Sequence, residues 1–499
     1  MASRVNRSLP SPYVFEGKPH GRPPHMPVCH FRPEGNWVND PLGLTKVGDL
    51  YHLFYQYNPV GAEPGLKHWG HAISQDLVAW EILPLALSPT PGGPDEGGCW
   101  SGSVTTLVDP PHLFYTAVRH DPRRGRIETV CLALGDAGLR EWRKHPDVLI
   151  PGPPADLDTY GFRDPFVWRD GDQWCLLVGS GIRGVGGAVL IYRSDDLRRW
   201  RYDGVFFSMA DMRAEDETAA MWECPQLFQL QGRYVLLLSI DSAAHPVLYV
   251  TGRLDGSKFA AERIGRLDIG PEFYAPSCFV DDDGRALVIA WAPEARSGDA
   301  QVAAGWSGVM TLPRAMTLDT SGRLRSSPTG ELSRLRRRHW QSESIALPSG
   351  VNVVLPITGC RLEMIATVRP GQASTLGLRI RKSPDGRETT LFSIDTSTGT
   401  VIFDRRDSSL APEVMPTVHE FNDGWLPGAL IQLHVFVDES IVELFIDDVL
   451  ALTGRVYPSR TDSVGVEVFS LGGSAVIDRI DAWQLDMPET SKPRGLGLS

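Results

Sequence analysis

Three carboxylates stand in similar phrases at wide intervals: Asp40 in NWVNDPLG, Asp164 in FRDPF and Glu223 in WECPQ. Each is followed by Pro or by Cys-Pro, and each has a large aromatic ring nearby, at Trp37, Phe162 and Trp222. An isolated Asp-Pro is ordinary turn chemistry. Three acids at equivalent points of a repeating chain ask for more, because paired carboxylates carry out the acid, base and nucleophilic steps of glycosidic chemistry. Aromatic faces beside them are suited to stacking on sugar rings. Two further phrases, CWSGS (99–103) and FYAPS (273–277), fall in the same series without a carboxylate.

These residues need elements to hold them, and the elements are strands. Short runs rich in Val, Ile, Tyr, Phe and Trp recur, such as LYHLFYQY (50–57), QWCLLVGS (173–180) and RALVIAW (285–291). They are punctuated by Gly, Pro and Asp turn signals, and helical periodicity is scarce. A phrase like S-x-D-L-x-x-W follows the third strand of a unit, at SQDLVAW (74–80) and SDDLRRW (194–200), and more loosely at LGDAGLREW (134–142). Unit starts fall near Asp40, Ser101, Asp164, Glu223 and Tyr274, roughly 50–60 residues apart, a length that holds about four strands. This predicts an all-β chain opening with a five-bladed propeller. The first strand of each blade would lie beside the axis. The phrases just before those five strands would then meet at one end of the channel.

The expected domains are an N-terminal arm (1–30), the propeller (31–335), a linker (336–345), a β-sandwich (346–488) and a disordered tail (489–499). The sandwich rests on alternating strands such as LEMIATVR (362–369), LIQLHVFVD (430–438) and SIVELFIDD (440–448). The basic run Arg334–Arg338 reads as a solvated interdomain linker or short helix. A formal charge of −12 argues against nucleic acid as its partner. No apolar run has the ~20 residues that a membrane span takes, and the first thirty residues show no signal-peptide core. Seven scattered cysteines without a CxxC pair fit a reducing compartment, so a cytoplasmic location is expected. A sequon at Asn6 is weak evidence for secretion.

With these motifs on the page, the chain resembles family 32 of the glycoside hydrolases, the invertases, inulinases, levanases and fructan exohydrolases. HFRPEGNWVNDPLGL resembles that family's nucleophile motif, and FRDP and MWECP its second and third signatures. YHLFYQYNP, HWGHAISQDLVAWEILPLALSP, CWSGS, FYAPS and GWSGVMTLPR extend the match from about His30 to Trp483. The resemblance implies a five-bladed propeller followed by a β-sandwich. It implies that Asp40 is the nucleophile, Glu223 the general acid and then base, and Asp164 a holder of fructosyl hydroxyls with Arg163 beside it. Asn39, Gln56, Trp69, Trp100 and Ser101 match positions lining the sugar site. Trp37, Cys224, Tyr274 and Trp291 are further candidates. No cofactor or metal is implied. The partners are sucrose or fructan oligosaccharides, and the sandwich is expected to pack on the propeller or support a homodimer.

The implied function is a retaining β-fructofuranosidase. A fructosyltransferase shares every one of these residues, and a non-catalytic sugar binder is the third reading. Retention requires an ionised Asp40, so loop hydrogen bonds are expected to hold its pKa down, and a protonated Glu223. The chain departs from the family at Leu42, where most members have Asn. Leu42 is expected to give an apolar rim and altered substrate choice, the alternative being that it packs at the start of the first inner strand. The remaining motifs read as structure. Gly179–Gly184 spells GxGxxG, but a strand rather than a helix follows, so it is a hairpin. Asp281–Gly284 is a hairpin turn rather than a calcium site. DLDTYG (156–161) lacks the closing Glu of a calcium loop, since Val167 stands there. Asp211, Glu215, Asp216 and Glu217 form a solvated loop near the pocket rim. The thirteen His show no metal-ligand spacing, and His68 and His71 are structural or rim residues.

Overall fold

A computed structural model describes residues 13–14, 23–212 and 219–488. The described chain is almost all strand. Its first part forms five sheets whose inner strands are Asn36–Val47, Cys99–Thr105, Thr159–Asp170, Trp222–Leu230 and Tyr274–Val280. Each inner strand packs beside the next and the fifth beside the first, which closes the ring. The short strand Trp306–Ser307 adds in parallel to Asn36–Trp37, so the end of the last blade is clasped to the first.

The S-x-D-L-x-x-W phrase turns the chain from the third strand of a blade to the fourth. Asp76 accepts N–H bonds from Val78 (3.1 Å) and Ala79 (2.8 Å), and Asp196 those of Arg198 (2.9 Å) and Arg199 (2.8 Å). The following Leu77 and Leu197 take positive φ and are buried. The Trp80 indole N–H closes the turn on the Leu77 carbonyl at 3.1 Å. Leu139 and Trp142 repeat this in the second blade, at 2.9 Å.

The predicted hairpin at Gly179–Gly184 is present, joining Gln173–Ile182 to Gly186–Ser194. Its glycines have a further cause. A Cβ on Gly179 would lie 2.6 Å from the Trp222 carbonyl oxygen, and one on Gly181 would lie 1.7 Å from that of Ala220. Their absence lets the inner strand carrying Glu223 approach closely.

The second part is a sandwich of two sheets. One has the strand order Tyr13–Val14, Val353–Thr358, Gly465–Leu471, Thr375–Lys382, Thr390–Asp395, Val401–Asp404, Val418–Phe421. The other runs Arg336–Leu347, Ala475–Leu485, Arg361–Arg369, Ile431–Asp438, Ile441–Ile446, Leu450–Arg455. Residues 336–345, expected as a linker, are therefore a strand paired with Ala475–Leu485. The basic run is absorbed there: Arg334 pairs with Asp76 at 3.0 Å, and Arg336 pairs with Glu363 at 2.6 Å and lies over Trp483. The end of the expected arm is tied down, with the N–H groups of Val28, Cys29 and His30 donating to Asp438.

The Asp281 side chain accepts from Arg285 N at 2.8 Å in the predicted hairpin turn. Asp211 caps a short 3-10 turn through Ser208 N at 2.9 Å. Glu215, Asp216, Glu217, Asn6 and the 489–499 tail lie outside the described residues. Among the described residues no helix is long and apolar enough to cross a membrane.

Candidate active site

A register break recurs near the start of all five inner strands. It falls between Val38 and Pro41, Trp100 and Gly102, Arg163 and Phe166, Glu223 and Gln226, and Tyr274 and Ser277. A bulge bends the strand and re-aims side chains. The unpaired residues at the breaks include Asn39, Asp40, Ser101, Asp164 and Cys224. The site residues thus lie inside the inner strands rather than before them. Asp164, Cys224 and Ala275 each precede Pro with positive φ, at 64°, 46° and 47°, a costly conformation for a residue with a Cβ. The register also corrects the equivalence of the three acids. Glu223 stands where Arg163 and Tyr274 stand, and Cys224 occupies the place of Asp164. The third blade puts its carboxylate inside the bulge, and the fourth puts it one residue earlier.

The bulges converge on a cavity of about 300 Å³ lined by Asn39, Asp40, Gln56, Lys67, Trp100, Ser101, Arg163, Asp164, Glu223, His245, Tyr274, Trp291 and Pro293. Asp40 and Asp164 are buried at its floor, at 8 % and 5 % exposure, while the Glu223 side chain is 21 % exposed. Ser101 Oγ donates to Asp40 Oδ2 at 2.6 Å and receives a bond from Gln56 Nε2. The Asp164 N–H donates to Thr116 Oγ1 at 2.7 Å, and Asp164 Oδ2 accepts from Cys224 N at 3.0 Å. The Cys224 thiol reaches both floor acids, 3.7 Å from Asp40 Oδ2 and 3.6 Å from Asp164 Oδ2. Glu223 Oε1 accepts from Arg163 Nε at 2.8 Å and Nη2 at 2.7 Å, and its Oε2 accepts from Tyr274 Oη at 2.6 Å.

Three carboxylates here share few cations, and the electrostatics follow. Burial, with the Glu223 charge added, pushes Asp40 up to about 6 against the pull of its Ser101 bond. That reverses the low value expected from loop hydrogen bonds, because desolvation of a floor residue outweighs one hydroxyl donor. Burial and the same Glu223 charge also raise Asp164, against Arg163. Asp40 and Asp164 therefore keep their protons to higher pH than exposed carboxylates do. Four polar atoms at the wall are buried without a protein partner: Asn39 Oδ1, Gln56 Oε1, Trp100 Nε1 and Trp291 Nε1. Two acceptors and two donors left open suit a ligand rich in hydroxyls.

Three expected site residues are outside the lining: Cys224, which lies against the floor acids, Trp69 and Trp37. Trp69 is fully buried in an apolar cluster with Phe54 and Leu87, and its Nε1 donates to the Trp100 carbonyl at 3.0 Å. Trp37 is buried beneath Lys67. The sequence reading missed Lys67, His245 and Pro293 in the wall, and Glu128 behind it. Glu128 Oε1 lies 3.1 Å from Arg163 Nη1, and its Oε2 accepts from Phe162 N at 2.6 Å. Lys67 sits two residues before the quoted Trp69 and was within reach of a closer reading. Glu128 stands in an ordinary strand, GRIETVCLALG, with no signal. Leu42, expected at the rim, is 3 % exposed and packs with Phe54, Cys99 and Leu113. It is a core residue of the first blade, and the apolar-rim expectation is overturned. Among the two flanking histidines, His71 is buried against His52 at 3.0 Å, and His68 bonds the Leu66 carbonyl at 3.0 Å.

Residues 30–328 match the family description "Glycosyl hydrolases family 32 N-terminal domain", and residues 331–484 match "Glycosyl hydrolases family 32 C terminal". The chain belongs to glycoside hydrolase family 32. Within the family it is 32% identical to a sucrose-6-phosphate hydrolase of Zymomonas mobilis, over 92% of each chain. It is 31% identical to a raffinose invertase of Escherichia coli, over 92% of this chain and 95% of that one. The structure of fructan 1-exohydrolase IIa from Cichorium intybus superposes with a TM-score of 0.83 at 26% identity, covering 94% of this chain and 98% of the other. The propeller followed by a sandwich is thus the architecture of a family 32 fructosidase.

Proposed function

We propose that this chain is a retaining β-fructofuranosidase of the invertase type, hydrolysing the terminal β-D-fructofuranosyl bond of sucrose or small fructans. The observation that carries this reading is the convergence of Asp40, Asp164 and Glu223 in one cavity whose wall leaves four polar atoms open. The relatives named above act on fructosides, which supports the substrate class.

The roles follow from depth. The fructosyl ring sits against the floor. The ionised carboxylate of Asp40 attacks its anomeric carbon and forms an ester as the glycosidic bond breaks. Glu223, nearer the mouth where the leaving group departs, gives its proton to the glycosidic oxygen. Arg163 and Tyr274 fix the orientation of the Glu223 carboxyl. Glu223 then takes a proton from water as the water oxygen attacks the same carbon and frees Asp40. Asp164, aligned by Cys224 N–H, accepts bonds from fructosyl hydroxyls. Asn39, Gln56, Ser101, Trp100 and Trp291 complete the sugar contacts. Trp69 supports the Trp100 backbone from behind. The seven free cysteines fit a reducing compartment.

The test is the configuration of fresh product. NMR during the first turnovers of sucrose, before mutarotation, is expected to show β-fructose. Initial α-fructose would overturn the nucleophile assignment.

A further inference from the structure

Arg163 faces two ways. Its Nε and Nη2 both reach Glu223 Oε1, at 2.8 Å and 2.7 Å. Its Nη1 turns back to Glu128 Oε1 at 3.1 Å. Only the first of these edges touches a reacting group. Glu128 stands on Gly125–Gly135, the third strand of the second blade, buried and outside the cavity lining. It is itself pinned, since Oε2 accepts from Phe162 N at 2.6 Å and Oε1 also meets Arg126 Nε at 2.9 Å. Gly161 leaves the guanidinium its room, because a Cβ there would lie 2.6 Å from Arg163 Nη1. A line of contacts thus crosses four blades, from Glu128 through Arg163 and Glu223 to Tyr274.

A guanidinium is planar, so fixing Nη1 also fixes the directions in which Nε and Nη2 donate. Glu223 Oε1 meets both of those donors and is the acceptor oxygen of the carboxyl. The proton of the acid form then belongs on Oε2, beside the Tyr274 hydroxyl. Turning the guanidinium would free Oε1 and leave that proton without a fixed place. A group that can turn it is at hand, since the half-exposed Asp241 carboxylate lies 3.8 Å from Arg163 Nη2. Glu128 opposes that turn from the far edge. Its bond to Phe162 N alone would brace the bulged strand, and its other oxygen goes to the arginine that carries the acid/base. We propose that Glu128 is a positioning residue of the reaction, which through Arg163 holds the Glu223 carboxyl with Oε2 as the oxygen that gives its proton to the leaving group. This rests on the fructosidase reading above.

The test compares two fructosyl donors by kcat/KM, which reports on the steps up to cleavage of the fructosyl bond. With sucrose that cleavage needs a proton from Glu223, and with β-D-fructofuranosyl fluoride it does not. Glu128→Gln is expected to lower kcat/KM on sucrose by about ten- to a hundredfold, the scale of a misplaced catalytic group. On the fluoride the loss should stay under about twofold. A residue that only braces the strand would lower both donors alike, or lower the melting temperature alone. In an Arg163→Ala background Glu128→Gln should change neither donor further, because its effect passes through that arginine. Glu128→Asp keeps the charge on a shorter stem and should show a smaller loss of the same selectivity; it takes the place of Glu128→Gln if that variant does not fold. Equal losses on the two donors, no loss on sucrose, or a further loss in the Arg163→Ala background would overturn the inference. A native chain that cleaves neither donor would instead overturn the fructosidase reading.

Discussion

The cavity floor and the seam between propeller and sandwich are built from the same parts, buried carboxylates and arginines, in opposite proportions. At the seam, fully buried Arg314 bridges Asp268 at 2.8 Å and Glu443 at 2.6 Å, with Thr453 Oγ1 at 2.6 Å. His30 joins Asp438 at 2.8 Å and Glu443 at 3.2 Å. Glu294 takes Arg296 Nε at 2.7 Å, Arg455 Nη2 at 3.1 Å and Tyr457 Oη at 2.6 Å. Donors from both domains hold Asp438, Glu443 and Glu294 below their ordinary values, although burial opposes this. Asp268 and Glu272 are still pushed up by burial despite their arginines. At the floor, Asp40 and Asp164 have no arginine of their own and both are raised. The seam spends cations to keep charges quiet. The floor withholds them, and that shortage leaves two carboxylates with raised pKa in one place.

The contrast is broken most visibly at Asp40. Asp40→Asn is expected to lower turnover by on the order of 10⁴-fold or more, as loss of a nucleophile does. The same substitution should raise the melting temperature, because the folded state no longer carries a buried charge it disfavours. The sign follows from linkage. With a folded pKa of about 6 against an ordinary 3.8, the penalty is complete above about pH 6 and vanishes as pH falls toward 3.8. The gain in stability should therefore be present at pH 7.5 and absent near pH 3.8. A seam substitution should do the reverse. Arg314→Leu strands Asp268 and Glu443 in the interior, so unfolding in denaturant should show a loss of about 3–5 kcal/mol, while the folded enzyme keeps its kcat. If Asp40→Asn destabilises as Arg314→Leu does, the two clusters are not different in kind.

Leu42 gives the smallest of these effects and sharpens the boundary of the site. It lies beside Asp40 in sequence yet belongs to the core. Leu42→Asn is expected to cost about 2–3 kcal/mol of stability through lost apolar burial and an unpartnered amide. The ratio of activities on sucrose, a levan-type and an inulin-type oligosaccharide should stay constant. A changed ratio would return Leu42 to the sugar site.

Much of the architecture was legible because it depends on local patterns. The Asp, Leu and Trp of each S-x-D-L-x-x-W phrase make their turn within a few residues, so the blade period was readable from sequence. The bulges were not. They place Asp40 and Asp164 inside strands, and they depend on pairing between neighbouring strands that periodicity does not encode. Trp69 and Leu42 were placed by resemblance to the family's motifs, and both stand beside register breaks, across which the side a residue faces cannot be counted along the strand. The 336–345 segment was read as a linker on its charges. Its arginines lie at the start of a strand where Glu363 and Trp483 receive one of them. Glu128 carries no motif at all, because its partners Arg163 and Phe162 come from another blade.

In the proposed mechanism the Asp40 carboxylate holds the sugar between the two steps. The measurement closest to that claim uses Glu223→Ala with a fructosyl donor whose leaving group needs no proton, quenched in acid and mapped by peptide mass. Without its base the second step is slow, so the ester should accumulate. One fructosyl unit on the peptide containing Asp40, and on that residue within it, is the expected result. An adduct on Asp164 or elsewhere, or leaving-group release with no adduct, would contradict it.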